Sequence, residues 1–265
     1  MSVALRIALV VITLGCLYLF IVHPLWFPAA ASVQAGLIDH DFSIAFWILG
    51  ALFVAGQAVL AFVLMRRPSD ARSKNWHGNW RFEIGWTLAV IVIFFGFHVS
   101  GGHLWSKLHQ PAKATQLTVE VTGAQFQWYF RYPGPDGVFG RTNAPKFARP
   151  DEGNPLGIDP ADPSGRDDIV STSLVVPVGQ PVQLQLRAQD VIHSLFIPAM
   201  RFKQDTVPGM NIQTHFTPNK PGTYEISCAE LCGIGHYRMR AVLRVVTQEE
   251  FERWLQSQAQ MASGH

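Results

Sequence analysis

The chain has 265 residues, of which 15% are charged and 48% hydrophobic. An ordinary soluble domain carries about 25% charged residues, so this composition argues against a wholly soluble protein and equally against a disordered one. The formal net charge of +2, from 21 basic and 19 acidic residues, argues against nucleic acid as a partner, and three cysteines are too few for a disulfide-stapled scaffold.

The apolar excess sits at the start of the chain. Residues 3–22 carry one charge, Arg6; residues 42–65 carry none; residues 84–105 carry none, only His98 and His103. About 20 helical residues cross a ~30 Å hydrocarbon layer, so each stretch is long enough to span. The reading is a transmembrane helical hairpin over 42–105, preceded by one extra N-terminal transmembrane helix over 1–22. Arg6, an apolar run and Ala29-Ala30-Ala31 also match a secretory signal with its cleavage site, and Leu14-Gly15-Cys16 a lipoprotein box. The run is long for a signal core and continues past Cys16, so a retained helix is favoured, and removal or lipidation of 1–31 stays open. The connection between the second and third stretches holds Arg66, Arg67, Arg72, Lys74 and Arg81, whereas residues 23–40 hold no Lys or Arg. Basic loops stay inside, which puts the hairpin tip in the cytoplasm and everything after Trp105 outside.

From Thr115 the texture changes. Residues 116–121 and 182–186 alternate apolar and polar, predicting half-buried strands. Short apolar runs at 224–227 and 240–246, with turn signals such as Lys220-Pro221-Gly222, predict a small antiparallel sandwich over 115–247. Within it, residues 133–168 are rich in Pro, Gly and Asp and read as a long surface insertion. Phe251, Trp254 and Leu255 fall at helical spacing, predicting an amphipathic C-terminal helix in 248–265 that packs on the sandwich.

The chemistry lies in Cys228-Ala229-Glu230-Leu231-Cys232-Gly233-Ile234-Gly235-His236-Tyr237-Arg238-Met239, between two of these strands. Thiols, an imidazole and a thioether suit copper better than calcium, magnesium or manganese. A single-copper electron-transfer site needs one Cys, His and Met on such a loop and one His upstream, and His193 is the upstream candidate. The second cysteine is the difference, because two facing thiolates can bridge two copper ions. Taken singly each piece has a plainer reading: the cysteines as a disulfide, His193 and Met239 as core residues, Glu230 as a surface carboxylate. Five features in this order, in a sandwich, favour the metal.

The run resembles the binuclear copper (CuA) loop of subunit II of haem-copper cytochrome c oxidases, Cys-x-Glu-x-Cys-x3-His-x2-Met. The segments His193-Ser194, Lys203-Gln204-Asp205-Thr206-Val207-Pro208-Gly209, Glu83-Ile84-Gly85-Trp86-Thr87 and Gly123-Ala124-Gln125-Phe126-Gln127-Trp128 resemble further parts of that family. The resemblance implies a transmembrane hairpin followed by an all-β, cupredoxin-like Greek-key sandwich. It implies Cys228 and Cys232 as bridging thiolates, His193 and His236 each on one copper, and Met239 and the Glu230 carbonyl as weak ligands. The Glu230 carboxylate would reach a magnesium ion shared with subunit I, and Glu83 would lie near the cytoplasmic mouth of a proton pathway there. The family's first strand tryptophan, where electrons from cytochrome c are taken up, is Phe126 here; Trp128 holds the second position, and Trp128 or Tyr129 is the substitute. The proline that usually follows Trp-Thr in the hairpin is absent, Leu88 standing there.

The implied function is electron transfer within a respiratory terminal oxidase. The subunit would accept electrons from cytochrome c or an equivalent periplasmic donor and pass them to haem in subunit I for reduction of oxygen to water. Subunit I, subunit III and membrane lipid are the implied partners, and the bacterial inner membrane the location, with the copper domain on the periplasmic side. The alternatives are the CuA-bearing subunit of a nitric oxide reductase and a membrane-tethered copper-binding module. No Cys-x2-Cys-His occurs, so no c-type haem is fused to the chain.

Overall fold

The computed structural model describes residues 3–22, 27–66, 78–110 and 117–263; Arg67, Arg72 and Lys74 of the basic connection and Thr115 and Gln116 of the first strand lie outside them. The chain forms two compact units, Met1–Pro28 with Leu37–Leu108, and Ala29–Gly36 with His109–His265.

The first unit is helical: α1 (Val3–Val22), α2 (Val33–Arg66) and α3 (Trp80–Leu108). Both α2 and α3 are long and apolar enough to cross a membrane. Phe20 of α1 lies against Gly50 of α2, and Ser100 of α3 donates to Asp41 Oδ1 of α2 at 2.6 Å. Helix α2 starts well before its apolar run, because the Ser32 hydroxyl accepts from Ala35 N–H at 2.9 Å and caps the first turn.

The second unit is a sandwich. Its strands are β1 (Leu117–Ala124), β2 (Gln127–Tyr132), β3 (Ile169–Ser171), β4 (Ser173–Pro177), β5 (Val182–Ala188), β6 (His193–Ile197), β7 (Phe202–Thr206), β8 (Ile212–Phe216), β9 (Gly222–Cys228) and β10 (Arg240–Val246). They form two five-stranded sheets, ordered β3-β2-β1-β5-β8 and β4-β10-β9-β6-β7. The antiparallel sandwich carries two parallel pairs, β1 with β5 and β4 with β10. Both pairs join strands distant in sequence, which a tight turn cannot connect. The period-two strands turn Val119, Val121, Trp128, Phe130, Leu184 and Leu186 of one sheet toward Leu195, Ile197, Ile226, Leu243 and Val245 of the other. Tyr132 bridges the sheets, its hydroxyl donating to Val175 O at 2.9 Å and accepting from Val175 N–H at 2.7 Å.

Strand β1 departs from the expected half-buried pattern, since Glu120 and Thr122 on its outer face are buried too. The 133–168 segment accounts for this. It contains the short helix α4 (Ala144–Phe147), and its Thr142, Ala144, Pro145 and Leu156 line, with Glu120, Thr122 and Arg187, an open pocket of about 210 Å³. Arg131 pairs with Glu120 at 3.2 Å and with Asp168, and also reaches the Gly140 carbonyl, tying the segment down at both ends.

The N-terminal chain contributes as well. Ala31 N–H donates to Ala199 O at 2.8 Å and Asn219 N–H to Ala31 O at 2.9 Å, while Ser32 Oγ donates to Met200 O at 2.9 Å. The Ala29-Ala30-Ala31 triplet, which matches a cleavage site in sequence, is therefore built into the sandwich unit. Helix α5 (Gln248–Ser263) opens on a capping box, Thr247 Oγ1 accepting from Glu250 N–H at 3.2 Å and Glu250 Oε2 from Thr247 N–H at 3.0 Å. Its Phe251, Trp254 and Leu255 pack on the core.

Candidate metal centre

Strand pairing assembles the donors. Leu195 of β6 stands opposite Cys228 of β9, which brings the first residue of one strand and the last of the other to one end of the sheet. Ala229 N–H donates to Ser194 O at 3.0 Å and Cys228 N–H to Met239 O at 3.0 Å, folding the loop back over that end. Tight turns inside the loop, His236 N–H to Gly233 O at 3.1 Å and Met239 N–H to His236 O at 3.2 Å, return His236 and Met239 to the same place.

A ring nitrogen of His193 and the sulfurs of Cys228 and Cys232 lie within 4.8 Å of one another, all in buried side chains. Both cysteines are free thiols, their sulfurs 3.9 Å apart. Cys232 Sγ is 3.6 Å from His236 Nδ1 and 3.8 Å from Met239 Sδ, and the Cys228 thiol donates to the Glu230 carbonyl at 3.2 Å. The structure thus gathers His193, Cys228, Cys232, His236, Met239 and the Glu230 carbonyl at one point, whereas the Glu230 side chain is exposed. Glu83 belongs to the helical unit, exposed in the first turn of α3.

The electrostatics fit a cation. His193 Nε2 faces Asp190 Oδ1 at 2.8 Å, the contact that fixes a ligating imidazole's tautomer. Its Nδ1 is buried and, among the described residues, has no hydrogen-bond partner. Such an orphan costs stability unless a ligand takes its lone pair. Burial would raise the Cys228 thiol, but the adjacent His193 ring and then the Glu230 and Ser194 backbone outweigh it and hold the thiol down at about 6. Burial, and then the neighbouring Cys228, push Cys232 up to about 11. Two facing sulfurs that cannot both ionise unaided, beside an unsatisfied imidazole nitrogen, form a donor set that soft or borderline metal ions complete.

The aromatic residues divide differently from expectation. Trp128 is 0% exposed, with its ring 5.9 Å from that of His193 and edge-on at 65°. Trp128 therefore offers no surface of its own to an external donor. The alternation of β2 points it into the core beside Phe130. Phe126 is half-buried and rests on Gly233 and Gly235 of the ligand loop, and Tyr129 is half-buried on the other face of β2. Around the loop Leu231, Ile234 and Tyr237 are 79%, 94% and 72% exposed.

Two contributors had no sequence signal of their own. Asp190 reads as a loop carboxylate until the structure places it on His193. Gln125 reads as an ordinary turn residue before β2, yet it donates from Nε2 to the Cys232 carbonyl at 2.6 Å.

With that geometry in place, likeness to known proteins decides the family. Residues 117–246 match the model of the cytochrome c oxidase subunit II periplasmic domain. The alternative cytochrome c oxidase subunit 2 of Bradyrhizobium diazoefficiens is 34% identical over 268 residues, covering 98% of this chain and 93% of that one. The chain belongs to the cytochrome c oxidase subunit II family. A second member, cytochrome c oxidase subunit 2 of Thermostichus vulcanus, is 32% identical over 283 residues, covering 86% of this chain and 76% of its own. Among solved structures, the periplasmic domain of subunit II of cytochrome oxidase (CoxB) of Bradyrhizobium japonicum is 28% identical, with a TM-score of 0.42 over 57% of this chain and 97% of that one. As a family member the chain is an electron-transfer subunit of an oxidoreductase complex, with apolar N-terminal helices and a cupredoxin-like β-sandwich.

Proposed function

We propose that this subunit takes single electrons from a periplasmic donor, cytochrome c or its equivalent, and hands them to haem in subunit I of a respiratory terminal oxidase, where oxygen is reduced to water. The place of transfer is a binuclear copper centre held by His193, Cys228, Cys232, His236, Met239 and the Glu230 carbonyl. The observation that carries this reading is the buried cluster of one imidazole and two thiols within 4.8 Å, with His193 Nδ1 left without a partner.

When bound, the copper pair supplies a one-electron carrier whose charge change is spread over two ions and two sulfurs. The chain's own part is to hold the donors still. Strands β6 and β9 fix His193 and Cys228 by their ladder, and Asp190 keeps the His193 ring turned inward. The core around Trp128 and Met239 excludes water, so little has to reorganise when the charge changes. The exposed Glu230 carboxylate supports a magnesium ion shared with subunit I, and exposed Glu83 supports proton delivery to that partner. Trp128, Phe126 and Tyr129 remain the candidates for electron uptake, Phe126 and Tyr129 being half-buried and Trp128 enclosed. Two helices able to cross a membrane and the basic connection between them support a multi-pass protein of the bacterial inner membrane, its sandwich on the periplasmic side and subunit III a further neighbour. The relatives described above are named as oxidase subunits, which favours oxygen over nitric oxide as terminal acceptor and an oxidase over a free-standing copper module.

The test is isolation of the full chain with its haem-bearing partner, followed by copper counting and electron paramagnetic resonance. The expected result is two coppers sharing one unpaired spin, lost in Cys228→Ser and in Cys232→Ser. A delocalised two-copper hyperfine pattern persisting in either variant overturns the assignment.

A further inference from the structure

The turn between β1 and β2 touches both halves of the metal centre. Gln125 main-chain N–H donates to Asp190 Oδ2 at 2.7 Å, and the other oxygen of that carboxylate holds His193 Nε2 at 2.8 Å. The Gln125 side-chain amide donates to the Cys232 carbonyl at 2.6 Å. One residue therefore reaches the histidine half through a single carboxylate and the cysteine half directly. The loop is shaped to receive it. Gly233, next to Cys232, has φ of 132°, a conformation L side chains rarely adopt, and a Cβ there would stand 2.9 Å from Gln125 Nε2.

We propose that Gln125 is a positioning residue of the metal centre. Its amide fixes the Cys232 carbonyl, and with it the direction of the Cys232 sulfur, while its main-chain N–H fixes Asp190 and thereby the His193 ring. The inference rests on the reading of His193 and Cys232 as copper ligands, and it gives Gln125 no contact with copper. Removing the amide frees the loop on one side without deleting any donor atom. The consequence is a shifted centre, with altered spin distribution and potential but unchanged copper content.

The experiment uses the full chain in detergent. In the metal-free state, amide hydrogen exchange across residues 231–235 is compared between the unsubstituted chain, Gln125→Met, which keeps length without a donor, and Gln125→Glu, which keeps shape but turns an acceptor toward the carbonyl. A net contribution typical of one hydrogen bond predicts exchange about threefold to tenfold faster in both variants. In the copper-loaded complex with its partner, both variants are expected to keep the copper content and shift the hyperfine splitting and the midpoint potential. Asp190→Asn combined with Gln125→Met is expected to accelerate exchange by less than the product of the single effects, because the two groups hold one turn. Native exchange, hyperfine splitting and potential in whichever of the two variants folds overturn the proposal. Absence of copper from the unsubstituted complex overturns the copper reading instead, so the two failures are distinguishable.

Discussion

Gly123 and His193 meet across the sandwich: a Cβ on Gly123 would stand 2.8 Å from His193 Cδ2 and 3.1 Å from Trp128 Cζ3. Both neighbours are buried rings without room to swing aside. The bare backbone of β1 is thus what lets the imidazole pack this close to the strand. Gly123→Ala is expected to displace the ring, at a cost of about 1–3 kcal/mol for overpacking, and to weaken copper retention. Denaturant unfolding and copper per chain check this together; native values for both would mean that His193 does not need the space.

Part of this site was legible in the sequence because donor chemistry is local. Cys228, Glu230, Cys232, His236 and Met239 share one loop, and soft donors crowded on a loop between strands have few other uses. The uncharged runs of α2 and α3 and the period-two pattern of β5 were legible for the same reason, each being a property of consecutive residues. Asp190 was not, because a carboxylate near a histidine reads as a solvated loop residue until a strand ladder fixes where both point. Glu120 was not, since the 133–168 segment that buries it is remote in sequence. The burial of Trp128 was legible too, since its alternation with Phe130 points it inward, whereas the resemblance speaks only of its role in electron uptake.

Arg131 is 1% exposed. Its guanidinium joins Glu120 of β1, Asp168 at the close of the 133–168 segment and the Gly140 carbonyl near its start. Arg131→Met leaves two buried carboxylates, of which, among the described residues, Glu120 alone has a second cation, Arg187, at 3.0 Å. Breaking a buried pair from one side costs about 3–5 kcal/mol. The expected outcome is that loss in denaturant unfolding, with new protease cleavage inside 133–168. Adding Asp168→Asn should restore part of the stability, because it removes the uncompensated charge; no restoration would place the cost elsewhere.

The two thiols of the metal-free chain should titrate apart. Cys228 is held at about 6 and Cys232 pushed up to about 11, and only the thiolate is nucleophilic. Alkylation of Cys228, located by peptide mass, should rise as pH passes through about 6 and then level off. Cys232 should remain the slower site throughout the neutral range. Equal profiles would show that His193 and the loop backbone do not act on Cys228 as the geometry requires.

Phe126 and Gly235 make the last test, because their contact joins the β1–β2 turn to the ligand loop without involving a donor atom. A Cβ on Gly235 would overlap the Phe126 ring. Phe126 is only half-buried, so it can turn toward solvent, and Gly235→Ala should cost less stability than Gly123→Ala. It should still disturb the centre, since the ring that moves also rests on Gly233, beside Cys232. Phe126→Ala removes the obstacle at the cost of the packing. If the ring and the loop are one contact, the double variant should be more stable than the sum of the single losses implies, by about 0.5–3 kcal/mol. Unfolding of the metal-free chain measures that coupling, and the hyperfine splitting of the loaded complex should recover toward native in the double variant. Strict additivity would mean that the ring does not bear on the loop.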